Sequence, residues 1–251
     1  MTRMLTVTRI SNACCLLQSA HHAVLTDPWF TQRWHLHRGE PLGMTVAQLP
    51  RLSAVVVSHY FINHWDPEPL AQLNEKATTP LLVCTANMLA HAHQIGFTRA
   101  RQVAWGQTLE LDDGLSVEVV EAHISQKEKL NNYVLTMDGV RVFFGGEARD
   151  LEPLRRYAQH APSVDVALLP VNGLTVMGGP QLVMGPADAL DAARILGARN
   201  LGCIHDATGR DVLWAYIRRR GSTAETLALA KQRGDRTTVL PLVTGRASRV
   251  Y

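Results

Sequence analysis

Polar side chains that can bind metal ions follow apolar runs at several points along the chain. The runs "VLTD", "VVVSH", "VEVVEAH", "VFFGGE" and "LGCIH" end in Asp27, His59, His123, Glu147 and His205. Each run has the length and the β-branched content of a buried strand. Imidazole and carboxylate groups are ligands for zinc, iron or manganese. Because functional sites are assembled where strands end along one edge of a layered fold, these side chains predict a shared metal site.

The segment "AVVVSHYFINHWDPEPL" holds two of the candidate histidines close together. Its apolar run ends at His59, and His64 follows five residues later. Phe61 and Asn63 lie between them, and these residue types bind metals poorly or not at all. Asp66 either orients His64 from behind or caps the helix that the next proline begins. The segment therefore indicates a metal-binding loop that is altered at its centre.

The elements around these residues predict two sheets covered by helices. Strands dominate the first half of the chain, and alternating patterns around Asp113-Gly114 and Asp138-Gly139 predict two hairpins. Helices are predicted over "ANMLAHAHQIG", "ADALDAARILGA", "DVLWAYIRRR" and "TAETLALAKQRG", the last with a capping box from Ser222 to Glu225. Since helices must cover both faces of a mostly β core, we expect an α/β sandwich with two central sheets, in a single domain over residues 1–251.

Composition and charge argue against several classes of protein. The 251 residues are 46% hydrophobic and 19% charged, which is typical of a globular enzyme and argues against disorder. A formal net charge of +3 is too small to indicate nucleic-acid binding, and no apolar run is long enough to span a membrane. The four cysteines form no C-x-x-C pair, and no signal-peptide pattern is visible, so we expect reduced thiols in a cytoplasmic protein.

The ordered set "DPWF … SHYFINHWDP … EAH … FFGGEA … VDVALLPV … GCIHD" resembles the metallo-β-lactamase superfamily. More closely it resembles the branch of ascorbate-phosphate lactonase-like and phospholipase D-like metal-dependent hydrolases. The resemblance runs over nearly the whole chain, from about Leu5 to Val243. It implies an αββα four-layer sandwich with a metal centre at the sheet edges. It also implies hydrolysis of a small ester, lactone, amide or phosphoester.

The resemblance further implies a set of ligands. The family motif reads H-x-H-x-D-H, followed by a lone histidine, an aspartate in G-D-T and a last histidine. His59 matches the first histidine of the motif, and His64 matches its last. His123 matches the lone histidine, His205 matches the final one, and Glu147 stands where the aspartate of G-D-T should be.

The chain departs from the family motif at its centre. Phe61 stands at the second histidine, and Asn63 replaces the aspartate that in the family binds the second metal and orients the water. Glu147 is then the one dependable carboxylate, so we expect at most one divalent ion, zinc with manganese or iron as alternatives. His64, His205 and Glu147 are its expected ligands, with a position left open for water. Asn63 and Glu147 are the expected catalytic groups, although Asn63 should activate water less well than an aspartate.

Two other functions are compatible with the sequence. A metal-free member of the fold would bind a small molecule, or would use the remaining histidines in acid–base chemistry. An interaction module would use the basic segment from Arg210 onward, which carries nine Lys and Arg against three Asp and Glu.

For the enzyme we expect a small-molecule substrate and no binding to nucleic acid or to a membrane. Assembly into a homo-oligomer is compatible with the sequence. His35 and His37 follow "DPWF" and are expected to be exposed, or else to replace a ligand or line the substrate entrance.

Overall fold

The structure is a computed structural model that describes residues 4–34, 36, 38–125, 128–206 and 217–251, with only the backbone of residues 124, 125, 128 and 129. Its strands are β1 (Thr6–Ser11), β2 (Cys14–Gln18), β3 (Ala23–Thr26), β4 (Ala54–Val56), β5 (Leu81–Val83), β6 (Ala100–Gln102), β7 (Thr108–Asp112), β8 (Leu115–Ser125), β9 (Glu128–Met137), β10 (Val140–Phe144), β11 (Val166–Pro170), β12 (Thr175–Val176), β13 (Asn200–Ile204), β14 (Ile217–Arg218), β15 (Thr238–Leu240) and β16 (Ala247–Arg249). Its helices are α1 (Pro67–Leu70), α2 (Ala86–Gln94), α3 (Glu152–Ala158), α4 (Pro186–Ile195) and α5 (Thr223–Arg233), with a short 3-10 turn at Val46–Gln48.

The strands form two large mixed sheets and one small ribbon. The first sheet has the order β16-β1-β2-β3-β4-β5-β6, and the second has the order β15-β13-β11-β10-β9-β8-β7. β12 and β14 pair with each other as a two-stranded ribbon. β16, near the C-terminus, is an edge strand of the first sheet and pairs antiparallel with β1, near the N-terminus.

The buried side chains form three layers of core. One cluster lies between the sheets and contains Val56 of the first sheet and Phe144 of the second. The neighbouring residues Val55 and Phe143 point the opposite way, into two outer clusters. Helix α2 covers the cluster that contains Val55, and helices α3 and α4 cover the cluster that contains Phe143. Alternation along strands that are apolar on both faces therefore produces the helix–sheet–sheet–helix order, and the expected α/β sandwich is confirmed.

Most of the predicted local elements are present, and one needs correction. The hairpins turn at Gly114 and at Asp138-Gly139, where all three residues have positive φ. The helix predicted over "DVLWAYIRRR" lies largely at residues 211–216, outside the described part of the chain. Its described continuation, Ile217–Arg218, is strand β14, which pairs with β12. A ladder partner from a distant segment has therefore overridden the local helical pattern.

Two groups of parallel strands bring their carboxyl ends to one edge of the sandwich. β3 and β4 are parallel neighbours in the first sheet, and β10, β11 and β13 are parallel neighbours in the second. The residues that follow β3, β4, β10 and β13 include Asp27, His59, Glu147 and His205. Within the described residues, no helix has the length and apolar character needed to cross a membrane.

Candidate metal centre

His59, His64 and Glu147 meet at this edge of the sandwich. Their ligand atoms all lie within 4.8 Å of one another. Nε2 of His64 is 3.1 Å from Oε1 of Glu147, and Nδ1 of His59 is 3.8 Å from Oε2 of the same carboxylate. Both histidines are fully buried, and the Glu147 side chain is 10% exposed. The two sheets thus contribute to one site, with the histidines from the first sheet and the carboxylate from the second.

Asp27 fixes the orientation of His64. Its Oδ2 lies 2.7 Å from Nδ1 of His64, and its two oxygens accept hydrogen bonds from the backbone N–H and the hydroxyl of Ser58, both at 2.6 Å. Because Nδ1 donates to Asp27, the other ring nitrogen is the one presented to Glu147. The sequence pattern placed Asp27 among the strand-end residues of the predicted metal site. In the structure its carboxylate lies behind His64, on the side of the ring away from Glu147.

Gly146 allows the two sheets to approach at this point. A Cβ on Gly146 would collide with Oγ of Ser58 and lie 3.0 Å from Oδ2 of Asp27. The backbone that carries Glu147 therefore passes directly over the Asp27–Ser58 pair. A glycine is needed here for space rather than for an unusual backbone conformation, since its φ is not positive.

His205 lies beside the three-residue group. Its ring is stacked on that of His64, with centroids 5.2 Å apart and an angle of 28° between the planes. Its backbone has a φ of 53°, a left-handed conformation that is costly for a histidine, and its N–H donates to the carbonyl of Asn12 at 3.2 Å. Asp27 also has a positive φ, of 37°. Strain at two strand ends of one site is typical of functional positions.

His123 lies apart from this group. β8 continues through it to Ser125, so His123 is inside a strand and not at its end. Its Nε2 lies 2.7 Å from Oε1 of Glu121, and its ring packs edge-on against Trp105. β9 separates β8 from β10 in the sheet, which places β8 about 10 Å from the strand that leads to Glu147. The role of His123 as a ligand stays a prediction.

The altered positions of the motif lie at the mouth of the site. The Phe61 side chain is 41% exposed, and its ring packs edge-on against His59 with centroids 3.9 Å apart. Asn63 lines a cavity of about 40 Å³ together with Glu147 and His205. A larger cavity, of about 490 Å³, lies elsewhere, between β8 and α3. The small cavity is the relevant one, because it adjoins the metal-capable group.

Asp66 neither orients His64 nor caps α1 through its side chain. It occupies the N-cap position, but its side chain makes no capping hydrogen bond. Its Oδ2 instead accepts hydrogen bonds from the backbone N–H groups of Phe30 and Thr31, at 3.0 and 2.7 Å. Both sequence-based interpretations of Asp66 therefore need correction: this buried carboxylate holds the loop that follows Asp27. His35 and His37, in the same loop, lie outside the described residues.

Buried charges set the protonation states in the site. Burial lowers the pKa of His64, but the Asp27 and Glu147 carboxylates outweigh it and raise that pKa to about 10. Burial raises the pKa of Glu147, but His64 reverses the effect and lowers it to about 2. Burial lowers the pKa values of His59 and His205 to about 3. Without a metal, a cationic His64 thus sits between two carboxylates, and the other two imidazoles are neutral.

The donor set fits one divalent ion. Two neutral imidazoles have a buried Nε2 without a hydrogen-bond partner among the described residues, those of His59 and His205. Such nitrogens are costly to bury unless a ligand satisfies them. The imidazoles of His59 and His64 and the carboxylate of Glu147 lie at ligand spacing and make a three-residue zinc-type set, with His205 beside it. Among the described residues, Glu147 is the one carboxylate in this group, so the charge of a second ion would not be offset.

Comparison with known proteins supports a family assignment. A family model described as a β-lactamase superfamily domain matches residues 22–205. An uncharacterized protein of Mycobacterium tuberculosis is 27% identical over 203 residues, which cover 75% of this chain and 54% of that protein. The chain thus spans about half the length of this mycobacterial relative. A UPF0173 metal-dependent hydrolase of Heliobacterium modesticaldum is 26% identical over 214 residues, covering 80% of this chain and 82% of that one.

A solved structure agrees with the fold. A metallo hydrolase from the hyperthermophilic archaeon Ignicoccus hospitalis superposes with a TM-score of 0.74 at 17% identity, covering 98% of each chain. At this identity the likeness shows the fold alone. The sandwich of two mixed sheets, the site at the ends of its parallel strands and the match over residues 22–205 lead to one assignment. The chain belongs to the β-lactamase superfamily and has the metallo-β-lactamase fold.

Proposed function

We propose that the protein is a hydrolase that uses one divalent metal ion, zinc or else manganese or iron, to cleave a small ester, lactone, amide or phosphoester. The observation that carries the proposal is the convergence of His59, His64 and Glu147, whose ligand atoms lie within 4.8 Å of one another. The Heliobacterium relative is named a metal-dependent hydrolase, which supports the same class of reaction.

The proposed ligands differ in one residue from the set expected from the sequence. His59 takes the place of His205, because His59 lies within ligand distance of both His64 and Glu147. His205 is stacked on His64, where its neutral imidazole can complete the coordination or contact the substrate. Glu147 supplies the negative charge that offsets the ion, and Asp27 holds His64 in the tautomer that leaves Nε2 free to bind.

The chemistry divides between the ion and the chain. A bound divalent ion supplies a Lewis acid that polarises a carbonyl or phosphoryl oxygen and lowers the pKa of water. Asn63 offers an amide in the cavity next to Glu147, where it can orient a substrate oxygen or a water by hydrogen bonding but cannot accept a proton. The residues that line this cavity are buried or half-buried, so polar interactions here are screened less than at the surface.

The test is metal analysis combined with turnover. Protein purified without added metal, and then reconstituted with one equivalent of zinc, manganese or iron, should hold about one ion per chain and hydrolyse an ester or phosphoester. The His64→Ala variant should lose the ion and the activity together. Arg236→Gln serves as the control, because this residue precedes β15 at the opposite edge of the sheet. Failure to bind any of the three metals would refute the proposal, and two ions at full occupancy would refute the single-ion site.

One observation favours a second candidate, a metal-free pocket for small-molecule binding or acid–base chemistry. Without a metal, a protonated His64 offsets one of the two negative charges of Asp27 and Glu147, and these carboxylates raise the pKa of that imidazole to about 10 against the effect of burial. A protonated His64 could then act as a fixed cation beside the cavity. Turnover that persists after chelation and dialysis would favour this candidate over the metal-dependent one.

A further inference from the structure

Two arginines border the same small cavity as the metal-capable group. Arg38 and Arg219 line it together with Glu147 and His205. Arg38 lies in the loop that follows β3, and Arg219 directly follows β14, so the two guanidinium groups reach the site from separate segments. An arrangement of this kind cannot be read from local sequence, because the residues are far apart in the chain.

Each arginine is held close to the site. Nη1 of Arg38 donates to the carbonyl of Phe30 at 3.0 Å, and its buried Nε has no hydrogen-bond partner among the described residues. Arg219 is near enough to His205 for its positive charge to add to burial, the main cause, in lowering the pKa of that imidazole. Both arginines are partly buried, so their interactions are less screened by solvent than those of surface arginines.

Neutral hydrogen-bond donors complete the lining. Asn12, Asn63 and Asn172 border the same cavity. Oδ1 of Asn172 accepts the backbone N–H of Leu174 at 3.2 Å, which fixes the orientation of this amide beside the cavity. Guanidinium and amide N–H groups are the donors that bind oxyanions in proteins.

The charges and the size of the cavity define the ligand. Among the described lining residues, Arg38 and Arg219 face one carboxylate, that of Glu147, so the lining is positive. Glu40 and Asp66 lie close enough to Arg38 to offset part of its charge, and a divalent ion would add positive charge. The volume of about 40 Å³ is a few times the roughly 10–15 Å³ that a cavity needs to hold one water, which leaves room for a group of a few atoms. The cavity therefore admits one small charged group, not a whole substrate.

We propose that Arg38 and Arg219 form an oxyanion subsite that binds a carboxylate or phosphate carried by the substrate, next to the group that performs hydrolysis. The inference rests on the proposed hydrolase function and narrows its substrate to anionic molecules. Arg38 and Arg219 determine specificity through charge and bidentate hydrogen bonding.

Anion binding tests the subsite without any turnover. Inorganic phosphate and, separately, acetate are titrated calorimetrically into metal-free protein, so that no ion competes for the anion. Arg38→Gln and Arg219→Gln should each weaken binding of the preferred anion about tenfold or more, and Arg38→Lys should restore part of it. The Arg236→Gln control should bind like the parent. Equal affinity in the parent and in both Gln variants would overturn the subsite, and the tighter anion of the two identifies its chemistry.

Turnover then separates the subsite from the hydrolase proposal. Zinc-loaded protein is assayed with neutral 4-nitrophenyl acetate and with anionic mono-4-nitrophenyl succinate. The ratio of kcat/KM for the anionic ester over the neutral one should fall about tenfold in each Gln variant, mainly through KM. An unchanged ratio would overturn the subsite, because a merely structural role would reduce both rates equally. If neither ester is cleaved, the calorimetry alone decides about the anion subsite, and the metal analysis decides about the hydrolase proposal. If Arg38→Gln does not fold, Arg219→Gln decides.

Discussion

The carboxylate of Asp27 and the imidazole of His64 form a fully buried pair, with Oδ2 2.7 Å from Nδ1. The pair joins the end of β3 to the loop after β4, and it leaves Nε2 of His64 facing Glu147 at 3.1 Å. Contacts behind a ligand of this kind commonly determine how well a histidine binds a metal.

Replacing Asp27 by Asn should weaken metal binding about 10- to 100-fold. The amide keeps the shape of the carboxylate but loses its charge, so it no longer fixes the tautomer of His64. The measurement is a competition titration with a chelator of known affinity. Asp191→Asn is the control, because this carboxylate lies on α4 and pairs with Arg194 at the surface. An Asp27→Asn protein that holds metal as tightly as the parent would show that the pair has no part in metal binding.

His59 and His123 should respond differently to replacement by Ala. His59→Ala removes an imidazole whose ligand atom lies within 4.8 Å of those of His64 and Glu147, so the metal content should fall well below one ion per chain. His123→Ala removes an imidazole that is paired with Glu121, so the metal content should stay at the parent value. Metal analysis of both variants after dialysis gives the answer. Equal metal loss in the two variants would show that His123 reaches the ion when the ion is bound.

Gly146→Ala should destabilise the protein by about 1–3 kcal/mol, the usual cost of overpacking. The new methyl group would collide with Oγ of Ser58 and press on Asp27, so the metal affinity should fall as well. Denaturant unfolding measures the free energy of unfolding. Gly185→Ala is the matched control, since a Cβ there meets no atom closer than 3.6 Å and its φ is −98°. Equal losses in the two variants would mean that the close approach at Gly146 is not what matters.

The metal-free protein should be most stable near neutral pH. The folded pKa of His64 is raised to about 10, so its contribution is full below the unfolded value of about 6.5 and is lost as pH rises through 10. The folded pKa values of His59 and His205 are lowered to about 3, so their contribution is present above about 6.5 and is lost as pH falls towards 3. Glu147, lowered to about 2, adds to the acid loss below about 4.5.

Unfolding by urea at a series of pH values between 4 and 10 measures this dependence. His64→Gln removes the group that titrates on the alkaline side and the main group that lowers the pKa of Glu147. It should therefore flatten the decline above neutral pH and keep the acid loss that comes from His59 and His205. Zinc binding at pH 7 should also release about one proton from His64, which calorimetry in buffers of different ionisation enthalpy detects. An alkaline decline of unchanged steepness in His64→Gln would contradict this assignment of the charge.

The sequence predicted the strands and the edge where they end more fully than it predicted the ligands. Apolar runs that end in polar residues depend on local pattern, and Asp27, His59, Glu147 and His205 do gather at one edge. The position of His123 depends on the order of strands in the second sheet, which brings β9 between β8 and β10. That order is set by pairing between distant segments, and no local signal encodes it.

Two further differences have the same physical origin. Asp66 precedes a proline in the manner of a helix cap, yet its carboxylate bonds to the backbone of a loop 35 and 36 residues earlier in the chain. Residues 217–218 belong to a segment whose sequence predicts a helix, but they form a β-strand that pairs with β12. In both places a distant partner, which the sequence does not specify locally, decides the local structure.

The division of the site between two sheets has a consequence for how the protein folds. His59 and His64 follow strands of the first sheet, whereas Glu147 follows a strand of the second, so the complete ligand set exists only after the sheets have docked. Ion capture during refolding should therefore be a late event that reports docking of the two halves, not formation of either one alone. Once held, the ion would act as a cross-link across the sandwich, and its loss would first loosen this one edge while the core between the sheets stays packed.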